Sequence, residues 1–145
     1  MRWLLVLLLV VVAATLVYFR FAPSDPGRWH VDPLTAPDPG KGNARIAPPD
    51  APVFDMTPEE LMAAFDRVAM AEPRVTRLAG SVGDGFATYI ARSRVFGFPD
   101  YISVRALPAD GGGATLAIFS RQRFGRDDMG VNGKRLDDWL GKLGS

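Results

Sequence analysis

From Trp3 to Phe19 the chain runs through seventeen consecutive residues with no charge, no glycine and no proline: WLLVLLLVVVAATLVYF. Nothing in a domain this small could surround such a helix on every side, which argues against a buried core helix. At ~1.5 Å rise per residue the run spans roughly 25 Å, slightly less than a ~30 Å hydrocarbon core. Trp3 and Tyr18 suit the two interfaces, and Arg2 and Arg20 can snorkel beyond them. The competing reading is a cleaved signal peptide, with Arg2 as its charged start, Leu4 to Val12 as its apolar stretch and Val12-Ala13-Ala14 as a small-residue site. The apolar run continues through Leu16, Val17, Tyr18 and Phe19 instead of turning polar, which favours a retained transmembrane anchor over residues 3–19. Arg2 and the terminal amine favour an inside N-terminus, while Arg20 and Arg28 oppose it; the signal-like layout favours a domain outside the cytoplasm.

Residues 20–51 hold seven of the twelve prolines and show no apolar periodicity, the composition of a semi-extended tether. One island interrupts it, Trp29-His30-Val31-Asp32-Pro33. His30 is the single histidine, and a metal site needs at least three protein ligands together, so the expected role of the island is a Trp anchoring the linker to the domain or to headgroups. There is no cysteine, which excludes disulfides, thiolate chemistry, iron–sulfur clusters and attachment of lipid to an N-terminal Cys. Residues 52–145 carry twelve basic and twelve acidic side chains, so this soluble part is formally neutral and no nucleic-acid partner is expected.

Within 52–145 the pattern predicts one α+β domain. Thr57-Pro58-Glu59-Glu60 is a capping box with proline at the first helical position, and Leu61, Ala64, Phe65 and Val68 form one stripe of a helix over 58–70. Strands are predicted over 75–82, 86–96, 101–107 and 114–124, joined by Gly83-Asp84-Gly85, by Gly97 with Pro99, and by residues 108–113. Loops this short require antiparallel pairing. Leu136, Trp139, Leu140 and Leu143 mark a closing helix, with Asn132 as the expected N-cap and Gly144 as its stop. The expectation is a two-layer fold: a four-stranded antiparallel meander with two amphipathic helices on one face, preceded by the membrane helix.

Two stretches are more specific. Phe98-Pro99-Asp100-Tyr101-Ile102 leads to Arg105, and Ser120-Arg121-Gln122-Arg123-Phe124-Gly125-Arg126-Asp127-Asp128-Met129-Gly130-Val131-Asn132 leads to Arg135. Together they resemble the bacterial family catalogued as domain of unknown function 1499, over about residues 45–143. Asp127 stands where that family usually has a serine, and Gly133 where a longer polar residue is common; the first departure speaks against a hydroxyl nucleophile there. The resemblance implies a domain boundary and no established activity.

Arginines on strands are the leading candidate site. Arg92 with Arg94, and Arg121 with Arg123, lie two apart and so share a face, and Arg105 sits on the strand between them. In register, Arg92, Arg105 and Arg121 would converge on a phosphate or carboxylate; out of it, they form an ordinary solvated face or pair with Asp100, Asp127 or Asp128. Asp127 and Asp128 are a second candidate, for a divalent cation or acid–base work, although acids before a helix more often cap it. Ser81, Ser93, Ser103 and Ser120 have no base nearby in sequence, and Gly111-Gly112-Gly113 precedes a strand, so it lacks the helix N-terminus a phosphate loop needs. No cofactor and no metal is expected. The preferred function is a non-catalytic, membrane-anchored module of the bacterial envelope, in the inner membrane with its domain in the periplasm, binding a protein, a lipid headgroup or a small anion. The alternative is an enzyme, for example a hydrolase, using Asp127 or Asp128 with an arginine. A buried carboxylate of raised pKa beside an arginine-lined cleft would favour the enzyme.

Overall fold

The structure is a computed structural model and describes residues 1–37 and 39–144. The apolar run forms α1 (Arg2–Phe21), which has no buried residue. Among the described residues it is the one helix long and apolar enough to cross a membrane. A single turn, α2 (Pro26–Trp29), follows, capped by Asp25, whose carboxylate accepts from the Gly27 amide.

Among the described residues the sheet has six strands, two more than predicted. The four expected ones are β3 (Val75–Ser81), β4 (Phe86–Arg92), β5 (Pro99–Pro108) and β6 (Ala114–Gln122), all antiparallel. The added pair, β1 (Ala44–Ile46) and β2 (Val53–Phe54), lies end to end along the outer edge of β6, where Ala44 pairs with Ser120 and Val53 with Thr115. The spatial order is β1-β6-β5-β4-β3. Residues 20–51 are therefore no simple tether: they supply a sheet strand, which shields the β6 backbone that would otherwise be an open edge. β4 stops at Arg92, four residues before the predicted end, so Arg94 lies in the following loop and shares no strand face with Arg92.

Helices α3 (Pro58–Ala71) and α4 (Val131–Leu143) pack on one face of the sheet. Both halves of the predicted capping box are made, Glu60 amide to Thr57 Oγ1 at 3.2 Å and Thr57 amide to Glu60 Oε2 at 2.8 Å. Leu61, Met62 and Phe65 from α3 meet Leu136, Trp139 and Leu143 from α4 over Tyr89, Ile102, Val104, Leu116 and Ile118. Trp139 is buried and stands edge-on to Phe65 at 5.7 Å, as its position on the stripe requires.

The opposite face is covered as well. The register places Phe86, Arg105 and Ala117 in one cross-strand row, then Thr88, Ser103 and Phe119, then Ile90, Tyr101 and Arg121. Residues 22–36 lie across these rows as a strap. Gly80 makes room for it: at φ 77°, a Cβ there would stand 2.1 Å from the Phe86 carbonyl oxygen and 3.0 Å from the His30 ring.

Candidate functional site

Three clusters of polar side chains stand out, and the sequence-predicted residues are divided among them. The first is the strap face. The Trp29 ring stacks on Tyr101, and His30 stacks on Phe86 with ring centroids 4.0 Å apart. A polar row runs underneath: His30 Nδ1 to Thr88 Oγ1 at 2.8 Å, Thr88 Oγ1 to Ser103 Oγ at 2.8 Å, and Arg121 Nη1 donating to Ser103 Oγ at 3.2 Å. Arg121 also donates to the Trp29 carbonyl, and its guanidinium lies 4.9 Å from the Phe119 ring centroid. It is 7% exposed and has no carboxylate partner among the described residues; burial lowers its pKa to about 10. Arg105 pairs with Asp32 at 2.8 Å. Arg123 donates to the Pro23 carbonyl at 2.7 Å and to the Tyr101 hydroxyl at 3.2 Å, and that hydroxyl also shares a hydrogen bond with Ser24. From β1, Arg45 donates to the carbonyls of Ala36 and Pro37. Arg105, Arg121 and Arg123 thus hold the strap down and do not open onto a common cleft. The sequence did carry a sign of this. FATYIA and ATLAIF are nearly continuous apolar runs, which fits strands covered on both faces better than strands with a solvated one.

The second cluster brings the two family-like stretches together. Arg135 of α4 pairs with Asp100 of β5 at 3.0 Å and donates to Asn132 Oδ1 at 2.8 Å. The Ser120 hydroxyl donates to the same Asn132 oxygen, and Asn132 Nδ2 donates to the Gly42 carbonyl at 3.1 Å. Asn132 is fully buried inside the helix and is not its N-cap; Gly130 holds that place in a left-handed conformation. Asp128 does the capping, accepting from the Gly130 amide at 3.0 Å and the Asn132 amide at 2.6 Å. Burial alone would raise the Asp128 pKa, but these backbone donors outweigh it and hold the carboxyl below its usual range. Asp127 accepts from the Met129 amide and pairs with Lys41 at 3.2 Å. Asp100 has its pKa raised by burial, against the pull of Arg135. Every member of this cluster is satisfied by another, and together they pin α4 to β5, β6 and the Gly42 turn.

The third cluster is open. A cavity of about 520 Å³ lies between the end of α1 and the β3–β4 edge. Arg20 comes from the last turn of α1, Arg74 from the position just before β3, and Arg92 from the end of β4. Ser24, Thr76 and Ser93 add hydroxyls, and Phe21, Pro23 and Ile90 an apolar wall. Among the described residues no carboxylate lines it, and none of the three arginines is in an ion pair. Arg74 sits at φ 62° and donates from Nε to the Arg92 carbonyl at 3.3 Å; Arg92 donates to the Gly97 carbonyl at 3.0 Å. Of the residues nominated from sequence, Arg92 alone reaches this cavity. Arg20 and Arg74 escape a reading by strand alternation because one is on the apolar helix and the other precedes its strand.

The family model described as protein of unknown function (DUF1499) matches residues 28–143. The match begins at the strap, upstream of the limit expected from sequence, and so takes in Trp29, His30 and Asp32. No curated protein and no solved structure matches the chain.

Proposed function

We propose that this chain, which belongs to the DUF1499 family, is a single-pass membrane-anchored, non-catalytic module that binds an anionic group of phosphate type in the cleft of Arg20, Arg74 and Arg92. The observation that carries the reading is three arginines lining one cavity that no acid lines among the described residues. Guanidinium forks match phosphate oxygens in geometry and charge, and unneutralised cations at close quarters favour an anion between them. The cavity lies where α1 ends, so a lipid headgroup and a free phosphate are both within its reach. We place the module in the bacterial inner membrane with its domain in the periplasm, on the signal-like layout of the N-terminus. Protease accessibility of the domain in intact spheroplasts tests that placement.

The enzymatic alternative draws less support. Asp127 and Asp128 are committed to backbone amides around the start of α4, and the carboxylate of raised pKa, Asp100, is paired with Arg135 and does not line the arginine cleft. The test is native mass spectrometry of the full chain extracted from membranes, together with titration of the delipidated chain with inorganic phosphate. A retained phospholipid, lost in the Arg74→Gln/Arg92→Gln variant, identifies a headgroup site. Phosphate binding without retained lipid identifies a soluble anion. Neither lipid nor phosphate on the native protein refutes the reading.

A further inference from the structure

We infer that the loop after β4 is a second membrane contact, with Val95 and Phe96 seated in the bilayer interface beside α1. This rests on the reading that α1 spans the membrane, but on a different surface from the arginine cleft. The last turns of α1 dock on the domain through rings: Phe19 lies 5.0 Å from Phe98 and 4.5 Å from Phe124, and Tyr18 lies 6.3 Å from Phe124. Tyr18 and Phe19 close the apolar run, so in a spanning helix they stand at the headgroup level. Phe98 and Phe124 must then stand at that level too. Gly97, at φ 70°, brings the loop against the helix; a Cβ there would sit 3.0 Å from the Arg20 side chain. Phe96 stacks on Phe98 at 5.4 Å, which puts it one ring further along the same layer.

The exposed surface fits that position. Val95 is 74% and Phe96, beyond its stack on Phe98, still 47% exposed, two adjacent apolar side chains open to the surroundings. Charge is distributed accordingly. The connections at this end of the sheet, residues 93–98 and 123–130, contain Arg94, Arg123 and Arg126, and their two acids, Asp127 and Asp128, are taken up by backbone amides at the start of α4. The loops at the far end, residues 82–85 and 108–113, contain Asp84 and Asp110 and no base. Apolar tips set among arginines, on the end that carries the membrane helix, match an anionic bilayer surface. The occupant we assign is therefore the lipid interface and not a protein.

The chain has no cysteine, so a single introduced one takes a spin label at one site only. The full chain carrying Val95→Cys, Phe96→Cys, Asp110→Cys or Val10→Cys is placed in nanodiscs containing phosphatidylglycerol. Power saturation then compares collisions with oxygen and with a water-soluble nickel chelate. Positions 95 and 96 should show an oxygen-to-nickel ratio several-fold above position 110 and below position 10. A water-like ratio at 95 and 96 beside a deep position 10 overturns the inference, leaves α1 in the membrane, and hands the patch to a protein partner. A water-like ratio at position 10 as well removes both the spanning helix and the contact that depends on it.

Discussion

The indole of Trp29 lies flat on the ring of Tyr101, with centroids 4.0 Å apart and planes 11° from parallel. Trp29 belongs to a proline-rich segment and Tyr101 to the first part of β5, so this stack joins the N-terminal third of the chain to the sheet. Around it the strap closes a face that holds the cross-strand rows of Thr88, Ser103, Phe119, Tyr101 and Arg121, all buried.

The first prediction concerns the limits of the folding unit. A fragment of residues 22–144 keeps the strap and β1, whereas one of residues 52–144 exposes Tyr101, Phe119 and the β6 edge together. Thermal unfolding followed by circular dichroism should be cooperative for the longer fragment. The shorter one should aggregate or melt without a sharp transition; equal melting temperatures would make the strap dispensable.

The second sets the two faces of α4 against each other. Trp139 is buried against Phe65, while Asp137 is exposed on the far side. Trp139→Ala should cost about 3–5 kcal/mol through lost burial and the cavity left behind. Asp137→Ala should change stability by no more than about 0.5 kcal/mol. Urea denaturation of both variants in the longer fragment measures the contrast, and a tolerated Trp139→Ala would mean that α4 is undocked.

Asn132 carries the third. Its side chain takes donors from Ser120 and Arg135 and donates to Gly42. Asn132→Ala strands several buried polar groups, so the expected loss is about 2–3 kcal/mol. Asn132→Asp keeps the acceptor and should recover part of it. If Asn132→Ala unfolds at the same urea concentration as the parent, the network is not what pins α4.

The fourth follows from His30. Its pKa is lowered from 6.5, first by burial and then by Arg105 and Arg121, with Asp84 opposing. The unfolded chain therefore binds more protons near pH 6, so His30 contributes stability that is present above its unfolded pKa and lost as pH falls below it toward the folded value. Asp100 has the opposite sign, since its raised pKa favours the folded state as pH falls through its own window above 3.8. The urea midpoint should fall between about pH 7.5 and 5.5, and His30→Gln should flatten that slope. An unchanged slope in His30→Gln would place the titration elsewhere.

Much of the fold was legible because its signals are local. The Thr57–Glu60 capping box, the Leu61–Val68 stripe, the turn at Gly83–Gly85 and the Leu136–Leu143 stripe each lie within one or two turns of chain, and each appears where the spacing put it. The cap of α4 is not legible in this way, because Asp, Gly and Asn crowd the same few positions; Asp128 takes the amides, and Asn132 goes inside with Ser120.

By itself the sequence determined an apolar helix followed by an α+β domain, since charge, periodicity and turn chemistry are properties of neighbouring residues. Tertiary structure alone decided the rest. β1 and β2, three and two residues long, have too few positions to show a period and exist because β6 offers them an edge. Arg105, Arg121 and Arg123 alternate as a solvated face would, yet the strap covers them, and a covering segment from the other end of the chain leaves no mark on their spacing. Arg74 meets Arg92 across the β3–β4 hairpin, but Arg20 joins them only through the way α1 meets the sheet, a long-range contact that no local pattern encodes.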